Sequence, residues 1–388
     1  MPGTHALLSA SGAKRWLICP PSARLEQQFS EEQSDFAAEG TFAHAFAELK
    51  LRKMFEKMKS SVYKKRLMEM VESPFYSPSL EEYISDYVDL VAERYAEAKK
   101  RCPDPVIAFE QRLDFSDYVP EGFGTGDVVI IATGMLEVID LKYGTGVPVE
   151  ADNNPQIRLY GLGALASYDC LYDIQQVRMT IAQIRLSHVT SETLGADDLC
   201  KWGEGYVKPR AQLAFKGEGD FCPGDHCEST FCRARATCRA RAEHNLEMAK
   251  CKFAQPPLLT PEEIPEILSQ AEELSKWASG VKDYAEHEAV ENGIRWPGWK
   301  LVEGRSVRKY TDDLKVAAAL EAAGFPEAAI YERKLYGITA MQKITGKKKF
   351  DALLDGLIEK PAGKPALVPE SDKRPEINSV EQAAEKFA

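Results

Sequence analysis

The sequence predicts an α/β fold, a mixed sheet with helices packed on it. Three observations predict it. Two β-rich runs, Asp127–Thr133 and Leu136–Lys142, flank Thr133-Gly134, a two-residue turn of hairpin type. Asn153-Asn154-Pro155 then opens a helix, with asparagine as cap and proline in the first turn. A further strand follows at Val177–Leu186, where Val177, Met179 and Ile181 alternate with Arg178 and Thr180. Strand, hairpin, helix and strand in that order build a mixed sheet flanked by helices.

The remaining elements follow in chain order. Ser9 and Ser11 are candidate helix caps ahead of Trp16, Leu17 and Cys19. Apolar residues at helical spacing predict a helix over Asp35–Lys57, with His44 and Glu48 one turn apart, and a second over Leu80–Lys100. A strand at Val106–Leu113 precedes the hairpin, and the helix after it runs to about Tyr168. Pro256-Pro257 marks a boundary, and Thr260-Pro261-Glu262-Glu263 reads as a capping box opening a helix that stops at Gly293. A short strand at Lys300–Glu303 and helices at Asp312–Ala323 and Phe350–Glu359 come next. The tail from Pro361 to Ala388, rich in proline, lysine and acid, reads as partly extended. Two domains are expected, residues 1–250 and a mainly helical region at 257–388.

Composition is that of a soluble globular protein, 44% hydrophobic and 28% charged. No apolar run reaches the roughly 18 residues of a membrane span, and the N-terminus lacks a signal-peptide pattern. A cytosolic protein with no membrane partner is expected. The net charge of −11 disfavours indiscriminate duplex binding. Local basic patches remain available: Lys64-Lys65-Arg66, the arginines from Arg233 to Arg241, and Lys347-Lys348-Lys349.

The hairpin carries the chemistry. If Ala132 faces Met135, Asp127 stands opposite Asp140, and Lys142 projects from the same face as Asp140. Opposed carboxylates repel unless compensated, and a divalent cation compensates them. Mg²⁺ takes one or two carboxylates plus phosphate oxygens, which suits Asp127 and Asp140, with Glu110 on the preceding strand as a further ligand. Lys142 can position an attacking water or stabilise charge developing on phosphorus. Taken alone, Asp…Asp-x-Lys at strand ends is also met by chance.

These residues resemble the PD-(D/E)xK nucleases of the restriction-endonuclease-like fold, the RecB-like branch in particular. That branch carries a strand Asp, then (Asp/Glu)-x-Lys on the next strand, then Gln-x3-Tyr on the following helix. Asp127, Asp140-Leu-Lys142 and Gln156-Ile-Arg-Leu-Tyr160 match it, and Gly40-Thr-Phe-Ala-His44 matches the family's early-helix histidine. The resemblance covers about residues 8–245. It implies a Mg²⁺- or Mn²⁺-dependent deoxyribonuclease, with His44, Glu110, Asp127 and Asp140 on the metal. Lys142 would be catalytic, and Gln156 and Tyr160 would shape the site. DNA, single-stranded or at duplex ends, would be the substrate, and an exonuclease fits better than a sequence-specific endonuclease.

Four of the nine cysteines lie close together, at Cys222, Cys227, Cys232 and Cys238, a density that suggests a metal or cluster site. The RecB-like subset that includes the AddB nuclease binds a [4Fe–4S] cluster through one cysteine before the core and three after it. Here that implies Cys19 with Cys227, Cys232 and Cys238. The first spacing, Cys227-x4-Cys232, is longer than the usual x2, so Cys222 stands as a substitute ligand, and His226 is a further candidate. A four-thiolate Zn²⁺ site fits the residue count as well.

Leu8-Ser-Ala-Ser, Arg15-Trp-Leu-Ile-Cys19 and Leu367-Val-Pro-Glu-Ser-Asp-Lys-Arg374 resemble a phage-associated family of uncharacterised proteins. This implies a bacterial host cytosol, with phage replication or recombination proteins as partners. Two readings from other classes compete: a non-cleaving DNA-binding or partner-docking module on the nuclease fold, and a zinc-stapled scaffold.

Overall fold

The structure is a computed structural model. It describes residues 6–29, 35–249, 263–304, 308–331, 335–359, 365–369 and 374–376. Helices α1 (Ala13–Ile18), α2 (Ser22–Leu25), α3 (Asp35–Phe55), α4 (Ser60–Val71) and α5 (Pro78–Arg101) come first. Strands β1 (Val106–Asp114), β2 (Phe123–Ala132) and β3 (Met135–Leu141) follow, then α6 (Pro155–Tyr172), β4 (Gln176–Gln183) and β5 (His188–Gly195). The first unit continues with α7 (Ala196–Trp202), α8 (Lys208–Lys216), α9 (His226–Ser229) and α10 (Arg239–Ala249).

The five strands form one sheet in the order β1-β2-β3-β4-β5. All neighbours are antiparallel except β3 and β4, which are parallel. That parallel pair needs a crossover, and α6 supplies it. The sheet is mixed and flanked by helices, as expected. Alternation along the strands sends side chains to two cores. Val129, Ile131, Leu136 and Val138 pack with Ile157 and Leu162 of α6 and Trp16 of α1. Val128, Ile130, Ile139 and Leu141 pack with Phe46 of α3 and Ile84 and Val91 of α5. With helices on both faces, β3 is buried along its whole length.

Local signals account for the helix starts. Ser77 Oγ accepts from the Leu80 amide at 3.1 Å to cap α5, and Asn154 Oδ1 accepts from the Gln156 amide at 3.0 Å to cap α6. At the first helix the expectation needs correcting. Gly12 is the cap residue of α1, and Ser9 Oγ accepts from the Gly12 amide at 3.2 Å, one step before the helix.

The single strand expected at Val177–Leu186 is also corrected. It ends at Gln183, turns through Ile184–Leu186 with Ser187 at φ 50°, and returns as β5. Side chains of this β4–β5 pair brace the segment between β3 and α6. Gln183 Oε1 accepts from the Val149 amide at 3.0 Å, Gln183 Nε2 donates to Gly144 O at 2.8 Å, and Thr190 Oγ1 accepts from the Ala151 amide at 3.0 Å.

The chain divides into two compact units, Met1–Glu273 and Leu274–Ala388, and the division falls within α11 (Glu263–Glu291). The second unit contains β6 (Trp299–Glu303), β7 (Lys309–Tyr310), α12 (Asp313–Ala322), α13 (Glu327–Ile330), α14 (Ile338–Thr345), α15 (Lys347–Leu353), β8 (Ile358–Glu359) and β9 (Pro365–Pro369). Val316, Leu320, Ile330, Met341, Phe350 and Leu354 form its core. The helix expected over Phe350–Glu359 is corrected: α15 ends at Leu353, Gly356 turns the chain at φ 73°, and β8 pairs with β7. The boundary at Pro256-Pro257 and the capping-box residues 260–262 lie outside the described residues, as does most of the tail. Among the described residues no helix is long and apolar enough to cross a membrane.

Candidate functional site

The hairpin register is the one the turn dictates. Ala132 pairs with Met135 and the ladder runs to Val128 opposite Ile139, so the next step sets Asp127 level with Asp140. There the ladder stops. The Leu141 amide donates to Asp127 Oδ2 at 2.6 Å, so a carboxylate takes the place of a strand carbonyl. The β1–β2 ladder is also interrupted at this level. Phe109 pairs with Val128 and Gln111 with Gly126, while Glu110, opposite Asp127 in register, is skipped. Glu110 has φ 49°, a left-handed backbone that costs a residue with a Cβ about 1–2 kcal/mol. The sheet therefore opens around Asp127.

Two groups of side chains meet at this opening. His44 Nδ1 of α3 lies 3.0 Å from Asp127 Oδ1. His44, Glu110 and Asp127 each present a ligand atom within 4.8 Å of the others, which suits one cation. Asp140 stands outside that triad. Its carboxylate is buried, and Oδ2 takes the Lys142 ammonium at 2.9 Å as an ion pair without the alignment of a hydrogen bond. From there a polar chain runs onto α6. Lys142 Nζ donates to Gln156 Oε1 at 3.1 Å, and Gln156 Nε2 donates to the Tyr160 hydroxyl at 3.4 Å.

Tyr160 lies against β2 because position 124 is glycine. A Cβ there would stand 2.5 Å from Tyr160 Cε1. Gly124→Ala is expected to displace the ring at a cost of about 1–3 kcal/mol. Chemical denaturation measures that cost, and the tyrosine fluorescence reports the displacement.

Crowded negative charge shows in the ionisation of these groups. Burial and the Asp127 charge, with a further push from Glu48, raise Glu110 from 4.5 to about 7. Burial raises the Asp140 carboxyl against the pull of Lys142, with Asp127 adding to the rise. Lys142 loses by burial and gains more from Asp140, so it stays an ammonium. Burial opposes a charge on His44, but the Asp127 hydrogen bond and charge prevail and raise it. An excess of carboxylate of this kind is what a hard divalent cation neutralises, and these donors fit Mg²⁺ or Mn²⁺.

A pH dependence follows. A carboxyl raised in the fold stabilises below its unfolded value, and that stabilisation is lost as pH rises through the folded value. Without a cation, the fold should lose stability as Glu110 ionises between pH 4.5 and about 7. The raised His44 acts in the same direction. Melting temperature against pH tests this, with saturating Mn²⁺ expected to reverse the loss and Glu110→Gln to reduce it.

The cysteines form the second centre. Cys19, Cys222, Cys227, Cys232 and Cys238 line one small pocket with Arg15, Arg235 and His226. Cys19, Cys227 and Cys232 are buried, whereas Cys222 is exposed. The Cys222 thiol donates to Asp220 O at 3.6 Å, and its backbone amide points to Cys19 Sγ at 3.5 Å. Burial raises the Cys19 and Cys227 thiols and pushes Cys232 up to about 12. The walls are tied independently of any metal. Arg15 Nη1 donates to Thr230 O at 3.0 Å, and Glu26 Oε1 accepts from the Arg233 amide at 2.7 Å.

Several site residues carried no chemical reading in the sequence. Arg52 and Gly124 are two. Tyr87 of α5 is a third, fully buried with no hydrogen-bond partner for its hydroxyl and within the field of Asp127, Asp140 and Glu110. The i, i+4 run His44, Glu48, Arg52 on α3 was the available signal for Arg52. Of the basic patches, Lys64-Lys65-Arg66 is exposed on α4. Arg241 is not part of a surface patch: it is 1% exposed and bonded to Glu228 and Glu273. The side chains of Lys347 and Lys348 lie outside the described residues.

Fold and site together define a helix-flanked mixed α/β sheet with a carboxylate, imidazole and ammonium cluster where its strands part. The chain belongs to the family described as "Protein of unknown function (DUF2800)", which it matches over residues 5–375. Among solved structures it is similar to one titled "Crystal structure of SSO0001", at 12% identity over 57% of this chain and 95% of that chain. The TM-score of 0.23 is too low for that likeness to carry an argument.

Proposed function

We propose that the protein is a Mg²⁺- or Mn²⁺-dependent deoxyribonuclease of RecB-like type, acting on DNA ends in phage DNA replication, recombination or processing in a bacterial cytosol. The observation that carries this reading is the meeting of His44, Glu110 and Asp127 beside the Asp140–Lys142–Gln156–Tyr160 chain. His44, Glu110 and Asp127 would hold the cation, with Asp140 beside them. When bound, the cation would polarise a phosphodiester oxygen as a Lewis acid.

The chain's own groups do the rest. Asp140 and Gln156 hold the Lys142 ammonium in place, where it offsets the negative charge that builds as water adds to phosphorus and the ester bond breaks. Gln156 ties α6 to β3, and Tyr160 closes that side of the site against β2. Burial of Asp140, with Lys142 half-buried beside it, strengthens their mutual attraction and keeps the pair together.

The cysteine pocket is read as holding a [4Fe–4S] cluster on Cys19, Cys227, Cys232 and Cys238, stapling the N-terminus to the end of the core. The resemblance to the RecB-like subset favours a cluster over a four-thiolate zinc site on these cysteines, which line one pocket.

The test is degradation of single-stranded, duplex and circular DNA by full-length protein of known iron content. Loss of linear DNA only with Mg²⁺ or Mn²⁺, abolished by chelation, is expected. No hydrolysis of any DNA with either metal would overturn the reading.

A further inference from the structure

We infer that Arg52 is a positioning residue that holds the Glu110 carboxylate in the cation site by fixing the backbone of β1 where it turns left-handed. The inference rests on the reading of His44, Glu110 and Asp127 as cation ligands.

Glu110 sits inside a strand at φ 49°, and the ladder skips it. A non-glycine residue keeps such a backbone only when its surroundings hold it there. Arg52 Nη2 donates to Phe109 O at 3.2 Å, the carbonyl of the peptide that leads into Glu110. The guanidinium is itself held on its other edges. Nε donates to Glu48 at 2.6 Å, Nη1 donates to Glu56 at 2.6 Å, and the group lies 5.9 Å from the centre of the Phe109 ring. Few side chains other than arginine present three donors in one rigid plane.

The placement joins two parts of the site. His44 lies eight residues, a little over two turns, before Arg52 on α3. One helix therefore carries both the imidazole that meets Asp127 and the guanidinium that sets the peptide before Glu110. Arg52 touches none of the ligand atoms, so its effect is exerted through Glu110.

The experiment is a double-mutant cycle read by Mn²⁺ titration calorimetry on full-length wild type, Arg52→Gln, Glu110→Gln and the double variant. Each single change is expected to weaken Mn²⁺ binding on the order of 10–100-fold. The double variant is expected to bind no more weakly than Glu110→Gln, because Arg52 has nothing left to position. Arg52→Gln binding Mn²⁺ like wild type, or losses that multiply in the double variant, would overturn the inference and leave the cation site standing. Wild type binding no Mn²⁺ would overturn both. Should Arg52→Gln fail to fold, Arg52→Lys replaces it in the same cycle, since lysine keeps the charge but lacks the planar fork.

Discussion

Lys142→Ala is expected to slow metal-dependent DNA cleavage by about 10²–10³-fold, the usual loss when a group that stabilises transition-state charge is removed. The ammonium lies 2.9 Å from Asp140 Oδ2 and 3.1 Å from Gln156 Oε1, so two elements, β3 and α6, aim it. The fold should survive. Without Lys142 the raised Asp140 carboxyl loses the charge that pulls it down and rises further, which lessens the cost of leaving it buried. Single-turnover cleavage rates, with circular dichroism as the control for folding, check both halves. Equal rates for variant and wild type would remove Lys142 from the chemistry.

Arg241→Ala is expected to be the most destabilising single change outside the hydrophobic cores, at about 3–5 kcal/mol, because it strands the buried Glu273 carboxylate. Arg241 is 1% exposed; Nε meets Glu273 at 3.0 Å, and Nη1 meets Glu228 at 2.9 Å and Arg235 O at 3.1 Å. These contacts join α10 and α11 to α9, which bears Cys227, and to the turn that follows Cys232. The change should lower the melting temperature on the order of 10 °C for a unit of this size and speed iron loss. Substitution at exposed Arg239 should do neither.

The register around the site was legible because a two-residue turn at Thr133-Gly134 leaves one way to pair Ala132 with Met135, and Asp127 and Asp140 follow from it. Asn154-Pro155 likewise announced α6, and with it Gln156 and Tyr160. What stayed hidden has physical causes. Glu110 gives no sequence signal for a left-handed backbone, since glycine and asparagine are the residues that announce one. Only the folded backbone, with φ at 49°, reveals it. β5 escaped because His188-Val-Thr-Ser-Glu-Thr alternates weakly and half of it faces solvent. α4 escaped because it buries no residue. Arg241 read as surface because its partners, Glu228 and Glu273, lie 13 and 32 residues away in the chain. Clustering singled out four cysteines, but nothing in spacing alone ties in Cys19, which folding brings to the same pocket.

The proposed chemistry requires His44, Glu110 and Asp127 to grip one divalent ion where β2 parts from its neighbours. Anomalous diffraction at the manganese edge, from crystals soaked in Mn²⁺, tests that directly. A single strong peak among those three side chains, absent from Asp127→Asn crystals, is the predicted result. A map with no peak there, or with manganese only elsewhere on the protein, would contradict it.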